Sequence, residues 1–248
     1  MASDPVLDHA PREGVRTFTP RWRNSPLTDE RMATLLPARS LPEGALVFAE
    51  AFGRVGPVVL EIGSGHGAAA IAYCAAHPGH VHLHGDEVGL GVARMLAAAE
   101  EAGVANLWVH PGDAMPLLTD RVPAGSLAAV HLFFPDPWPK NKHAKRRFVQ
   151  QHTLDLLASR LAPGGVLRIA TDIAAYAAHA RAQLAHHGRW DVVEGERPDW
   201  RPDDGFEAKG VRAGRTVTEL TCTLRPEGGD PEGGDPEGGD PEGGDSEG

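Results

Sequence analysis

Between Pro42 and Gly188 short apolar runs alternate with longer runs of helical period, and this alternation restricts the fold more than any other feature of the chain. VVLEIG, VHLHGDE, NLWVHPGD, LAAVHLFFP and GVLRIATD read as buried strands. ALVFAEAF, AAAIAYCAAH, VARMLAAAEEAG, FVQQHTLDLLASRLAPGG and AAYAAHARAQLAHHG read as helices, several closed by glycine. A strand–helix repeat of this kind folds as a parallel sheet with helices on both faces. WDVVEGE and TVTELTCTL then follow as two strand-like runs separated by a long polar segment without helical pattern. They predict an antiparallel pair at one edge. The expected fold class is α/β, a mostly parallel, doubly wound, seven-stranded sheet ending in an antiparallel strand pair.

Residues 1–40 are rich in Pro, Arg and Ser without a clear period, and are expected to be an arm that carries Arg16, Arg21, Trp22 and Arg23. Residues 41–225 form the expected catalytic domain. Residues 226–248 repeat PEGGD four times, with nine acidic residues, no basic one and no apolar one, so burial cannot offset the entropy of ordering them and a disordered tail is expected. This tail decides how the net charge of −10 is read. Without it 24 basic residues face 25 acidic ones, so the body is nearly neutral and a nucleic-acid partner is not excluded.

Two cysteines, Cys74 and Cys222, both in apolar runs, do not make a disulfide framework and are expected to be buried thiols. The N-terminal sequence has no basic start followed by an apolar run, and no segment is long enough to span a bilayer, so a cytoplasmic location is expected.

Glu61-Ile62-Gly63-Ser64-Gly65-His66-Gly67 sets a glycine turn between the first strand and its helix, where the backbone can approach a ligand closely. The G-x-G-x-G spacing and the preceding carboxylate disfavour a dinucleotide, whose pyrophosphate would meet Glu61. S-adenosylmethionine has no phosphate and carries a sulfonium and an ammonium, which a carboxylate suits. Glu87, twenty residues beyond Gly67, closes the second strand, where an acid can accept hydrogen bonds from ribose hydroxyls. Asp113 follows the third strand, suited to an adenine amino group. Glu61, Gly63, Gly65, Glu87 and Asp113 are therefore the candidate cofactor residues.

His80, His82 and His84 alternate, so a strand would present all three imidazoles on one face. No Cys or carboxylate shares their local pattern, and alkylation by S-adenosylmethionine needs no metal, so no metal site is expected. The run Phe133-Phe134-Pro135-Asp136-Pro137-Trp138-Pro139-Lys140 begins at the end of the fourth strand, its prolines holding Asp136 and Trp138 at the carboxyl edge of the sheet. Lys142, Lys145, Arg146 and Arg147 follow as candidate phosphate contacts. Helix starts disfavour cations, and a polyanionic ligand accounts for such a cluster there.

With these motifs in the order LEIGSGHG, GDE, GDA, LFFPDPWPK, KRR, APGG, ATD and GFEAKG, the chain from Arg16 to Arg225 resembles the bacterial tRNA (guanine-N7)-methyltransferase family. The resemblance implies the S-adenosylmethionine-dependent methyltransferase fold and methylation of a guanine N7 in the variable loop of tRNA. It implies that Glu61, Glu87, Asp113 and Asp136 contact S-adenosylmethionine, that Asp136 is the catalytic acid, and that Lys140, Asp172, Asp204, Gly205, Phe206 and Glu207 contact tRNA. Asp204 and Gly205 depart from the family pattern, as do His66 and Asp86.

Guanine N7 has an in-plane lone pair and no proton, so it displaces a sulfonium methyl without a general base, and positioning carries most of the catalysis. Asp136 would stabilise the cationic product ring. Asp172 and Glu207 are candidates to accept from guanine N1 and N2, and Trp138 or Phe206 to stack on an exposed base. Competing readings are an exocyclic amino-methyltransferase of nucleic acid, a NAD-dependent dehydrogenase and a non-catalytic RNA-binding subunit.

Overall fold

The computed structural model describes residues 25–63, 65–85, 89–203 and 205–226, apart from the side chains of Asn141 and Phe206. The expected arm residues 1–24, Glu87, Asp204 and the acidic tail from residue 227 lie outside the described residues.

Seven strands form one sheet: β1 (Val58–Ile62), β2 (Val81–Gly85), β3 (Leu107–His110), β4 (Leu127–Phe133), β5 (Leu161–Thr171), β6 (Trp190–Gly195) and β7 (Thr218–Leu224). Their order is β3-β2-β1-β4-β5-β7-β6, parallel except for β7, which is antiparallel to both β5 and β6. The expected fold class is the observed one. The helices are α1 (Pro26–Leu35), α2 (Phe48–Phe52), α3 (Ala68–Ala76), α4 (Gly89–Glu101), α5 (Ala114–Pro116), α6 (Gln151–Arg160), α7 (Ala174–His187) and α8 (Gly205–Arg212). A π-helical turn, Leu117–Arg121, extends α5, and a 3-10 helix, Asn141–Arg146, precedes α6.

Alternation along β1 sends Val58, Leu60 and Ile62 into the larger core, with Val81, Leu83, Leu117, Leu154, Leu157, Tyr176 and Leu184. The opposite face of β3 packs Leu107 and Val109 against Val92, Met95, Leu96 and Ala99 of α4. Cys74 and Cys222 are both free and buried, as expected. Among the described residues no helix is long and apolar enough to cross a membrane.

Two elements correct the sequence reading. Residues 26–40, expected in an arm without core elements, contain α1, whose Met32 and Leu35 pack on the smaller core, and Ser40 bridges to Val109. Ser25 caps α1 by accepting from Thr28 N at 3.2 Å, with Pro26 at the first position, so the start signal was present and the weak apolar stripe hid it. The polar segment between β6 and β7, expected to be non-helical, contains α8. In addition α6 begins at Gln151 rather than at Phe148, and α2 at Phe48 rather than Ala45.

Candidate active site

The ladders align Ile62 with Gly85 and Gly85 with His110, and Phe133 with Ala170, so the carboxyl ends of the five parallel strands share one edge. β1 lies between β2 and β4, whose connections run in opposite directions, and such a switch point opens a crevice at that edge. The turn after β1 falls there. Gly63, Gly65 and Gly67 have φ of 69°, 62° and 82°, a region L side chains rarely adopt. At Gly67 a Cβ would also lie 2.3 Å from Met95 Cγ, so α4 leaves room for glycine alone. Gly63 N donates to Gly85 O at 3.1 Å, tying the turn to β2. Asp113 caps α5, accepting from Met115 N at 2.9 Å, and is half-buried beside the end of β3. A bare-backbone turn flanked by a carboxylate fits a nucleoside cofactor without phosphates.

Glu61 is buried in β1, where His82 Nε2 donates to its Oε2 at 3.1 Å. The carboxylate missing from the local pattern of the histidines is thus supplied by the neighbouring strand. His131 of β4 pairs with Glu61 in the ladder and joins them. Its ring stacks on Phe133, with centroids 5.0 Å apart, and on Trp200, at 5.3 Å, and those two rings lie 6.1 Å from each other, so the three form one aromatic cluster. Burial, then His82, Arg168, His77 and Arg201, hold the His131 imidazole well below its ordinary pKa, hence neutral.

Asp136 is exposed in the loop leaving β4. That loop contains the two non-glycine residues of positive φ among those described, Phe134 at 49° and Trp138 at 40°. Such strain persists only where surroundings enforce it. Phe134 N donates to Ala170 O at 2.8 Å, and Arg147 donates to Pro137 O at 3.1 Å and Trp138 O at 3.3 Å. Arg147 is buried, which corrects its expected phosphate role: its guanidinium braces the loop from inside. Lys140, Lys142, Lys145 and Arg146 are exposed, the last three on the 3-10 helix, with the Arg146 guanidinium 4.9 Å from the centre of the Trp138 ring.

Asp172 follows β5. Arg215 Nε donates to its Oδ2 at 2.8 Å, and a Cβ on Gly210 of α8 would lie 2.5 Å from the same oxygen. Gly205 opens α8 with φ 55°. Glu207 is buried, its carboxylate 3.0 Å from Arg201 Nη1 and 3.4 Å from Arg197 Nε. Arg201, 2% exposed, also pairs with Glu219, and its guanidinium lies 4.9 Å from the Phe133 ring and 5.4 Å from that of Phe134. One buried cation therefore joins α8, β7 and the Asp136 loop. Burial first, and Glu207 after it, push the Glu219 carboxyl up to about 7 against the pull of Arg201.

Residues 55–220 match a family model described as "Putative methyltransferase". The tRNA (guanine-N(7)-)-methyltransferase of Halorhodospira halophila is 44% identical over 181 residues, covering 71% of this chain and 78% of the relative. That of Nitrosospira multiformis is 36% identical over 221 residues, 87% of this chain and 96% of its own length. The chain belongs to the tRNA (guanine-N(7)-)-methyltransferase family. The 16S rRNA methyltransferase KamB, 16% identical with a TM-score of 0.52 over 75% of this chain and 96% of its own, shares the fold. For this family member the fold is that of the S-adenosylmethionine-dependent methyltransferases.

Within this family frame the described candidates fall into two groups on one sheet edge. Glu61, Gly63, Gly65 and Asp113 gather around β1 and β3, while Asp172, Gly205 and Glu207 gather around β5 and α8, with Asp136 on the intervening β4 loop. Sequence reasoning missed Arg201 and His131, and assigned Arg147 to the surface rather than to the loop it braces. A lone Arg in a polar loop carries no periodic signal, and the pairing of His131 with Glu61 crosses strands that are 70 residues apart in the chain.

Proposed function

We propose that this chain transfers a methyl group from S-adenosylmethionine to N7 of a guanine in tRNA, within the variable loop. The relatives' names support the substrate, and the single observation that carries the reading is Asp136 in its strained, proline-flanked loop beside the glycine turn. S-adenosylmethionine supplies an electrophilic methyl on a sulfonium. Glu61, Gly63, Gly65, Glu87, Asp113 and Asp136 would hold it, the bare turn admitting the backbone-close part of the ligand and Asp113 the nucleoside end.

Asp136 is the proposed catalytic residue. Its carboxylate faces charge that develops on the guanine ring as N7 is alkylated, and a fixed anion stabilises that charge without moving a proton. Lys140 and the exposed Lys142, Lys145 and Arg146 would bind phosphates, while Asp172, Asp204, Gly205, Phe206 and Glu207 would line the base and its neighbours. For Asp172 and Glu207 this requires acceptor capacity beyond their present arginine partners, which a carboxylate with four lone-pair sites has.

The test is transfer from methyl-labelled S-adenosylmethionine to unmodified tRNA, with the product nucleoside identified. Label in 7-methylguanosine is the expected result; label on an exocyclic amine, or none, overturns the reading.

A further inference from the structure

Given the methyl transfer to guanine N7 proposed above, on which this inference rests, we propose that the indole of Trp138 is a second catalytic group, whose face holds the positive charge that the guanine acquires. In that step the N7 lone pair forms the new N–CH3 bond, the S–CH3 bond breaks, and its electron pair stays on sulfur, leaving a neutral thioether. No proton moves. The charge of the sulfonium therefore passes to the purine, where it is spread over a flat ring. Among side-chain rings, the face of an indole attracts a cation most strongly.

Trp138 is held in place at a cost. Its φ of 40° lies in the left-handed region, which a bulky residue occupies only under constraint. Buried Arg147 supplies that constraint by donating to Trp138 O at 3.3 Å and to Pro137 O at 3.1 Å, and Pro137 and Pro139 flank the residue in the chain. The residue so fixed is two positions from Asp136, in the loop that leaves β4. Its ring is half-buried and packs into neither hydrophobic core. A tryptophan kept for its volume would bury its ring among apolar side chains, so packing accounts for neither the strain nor the open ring.

A cation already lies on that ring. The Arg146 guanidinium is 4.9 Å from the ring centre, and the His143 ring is 5.8 Å away at 59°. Arg146 is exposed, so its contact is weak beside one made in a site that excludes water. A substrate phosphate would draw the guanidinium off the ring, and the face it leaves would receive the purine. Asp136 and Trp138 then act on the same charge by different means, the carboxylate as a fixed anion and the indole through its π face. This demand is specific to a ring nitrogen, because methylation of an exocyclic amine ends, after loss of a proton, in a neutral base.

The experiment replaces Trp138 in the full chain by mono-, di- and trifluorotryptophan and measures single-turnover transfer from methyl-labelled S-adenosylmethionine at saturating tRNA, with the product nucleoside identified. Fluorine withdraws charge from the indole face and barely alters its shape, so a tryptophan with a structural role alone would give one rate throughout. The logarithm of the rate should fall stepwise with fluorine number, by about tenfold over the series, with unchanged circular dichroism and a smaller change in tRNA affinity. Trp138→Leu, which has no π face, should lose at least as much, and Trp138→Phe should fall between it and the parent chain. If Trp138→Leu fails to fold, the fluorinated series still decides. Equal rates across that series, with 7-methylguanosine formed by the parent chain, overturn the proposal alone; absence of 7-methylguanosine from the parent chain overturns the methyl-transfer reading and the proposal with it.

Discussion

Arg201 is a buried cation shared by two carboxylates, and this arrangement controls both stability and its pH dependence. Removing one partner of a buried pair leaves the other charge uncompensated, so Arg201→Leu should cost about 3–5 kcal/mol in urea unfolding. A cost below about 1 kcal/mol would show that Glu207 and Glu219 are solvated independently of it. Glu219 adds a second expectation. Its carboxyl is pushed up to about 7 in the folded chain and titrates near its ordinary 4.5 when unfolded, so folding favours the protonated form. The stability it contributes is full below pH about 4.5 and is lost as pH rises through about 7. Glu219→Gln cannot ionise, so its melting temperature should fall less steeply across that window than that of the parent chain. Parallel profiles for the two proteins would show that Glu219 is ionised throughout. At the same scale, Asp136→Ala should fold normally by circular dichroism yet lose most single-turnover methyl transfer; near-normal turnover would remove Asp136 from the mechanism.

The segment from Phe133 to Arg147 works as one element in which rigidity and charge are divided among neighbours. Arg147 braces the loop carbonyls from within, and Lys142, Lys145 and Arg146 point outward. Substituting the three exposed residues by Ala should therefore reduce the salt slope of tRNA binding by about two to three, at roughly 0.7–0.9 for each phosphate no longer neutralised. Arg147→Ala should instead destabilise the fold with little change in slope. Equal slopes for the parent chain and the triple variant would make the exposed cluster a solvated surface. The sequence showed the four basic residues as a run but not their division, because burial is set by which side of a short 3-10 helix faces the loop. The same limit hid α8: two glycines in GFEAKGVR weaken its helical signal, yet Gly210 is required by the Asp172 carboxylate packed against it.

Across the whole molecule, what was legible followed from period. The strand–helix alternation and the antiparallel edge pair were readable, because each shows in the period of short segments, whereas the strand order that makes the switch point appears only in the folded sheet. The Glu61, His82 and His131 cluster was not readable either, since three strands separated by helices and loops meet only when the sheet forms. Charge is the other property of the whole chain. Residues 226–248 carry nine of the 34 acidic residues and no basic one, while the remainder is nearly neutral. Deleting residues 226–248 should leave thermal unfolding unchanged, because they offer no apolar side chain to the core. It should also strengthen tRNA binding at low salt, since tethered anions repel a polyanion or occupy its basic contacts. Either effect fades as the Debye length shrinks to about 10 Å near 0.1 M salt, so the two affinity curves should converge there. Superimposable curves at every salt concentration would make the segment electrostatically inert toward tRNA, and weaker binding after deletion would reverse its role to that of a contributor.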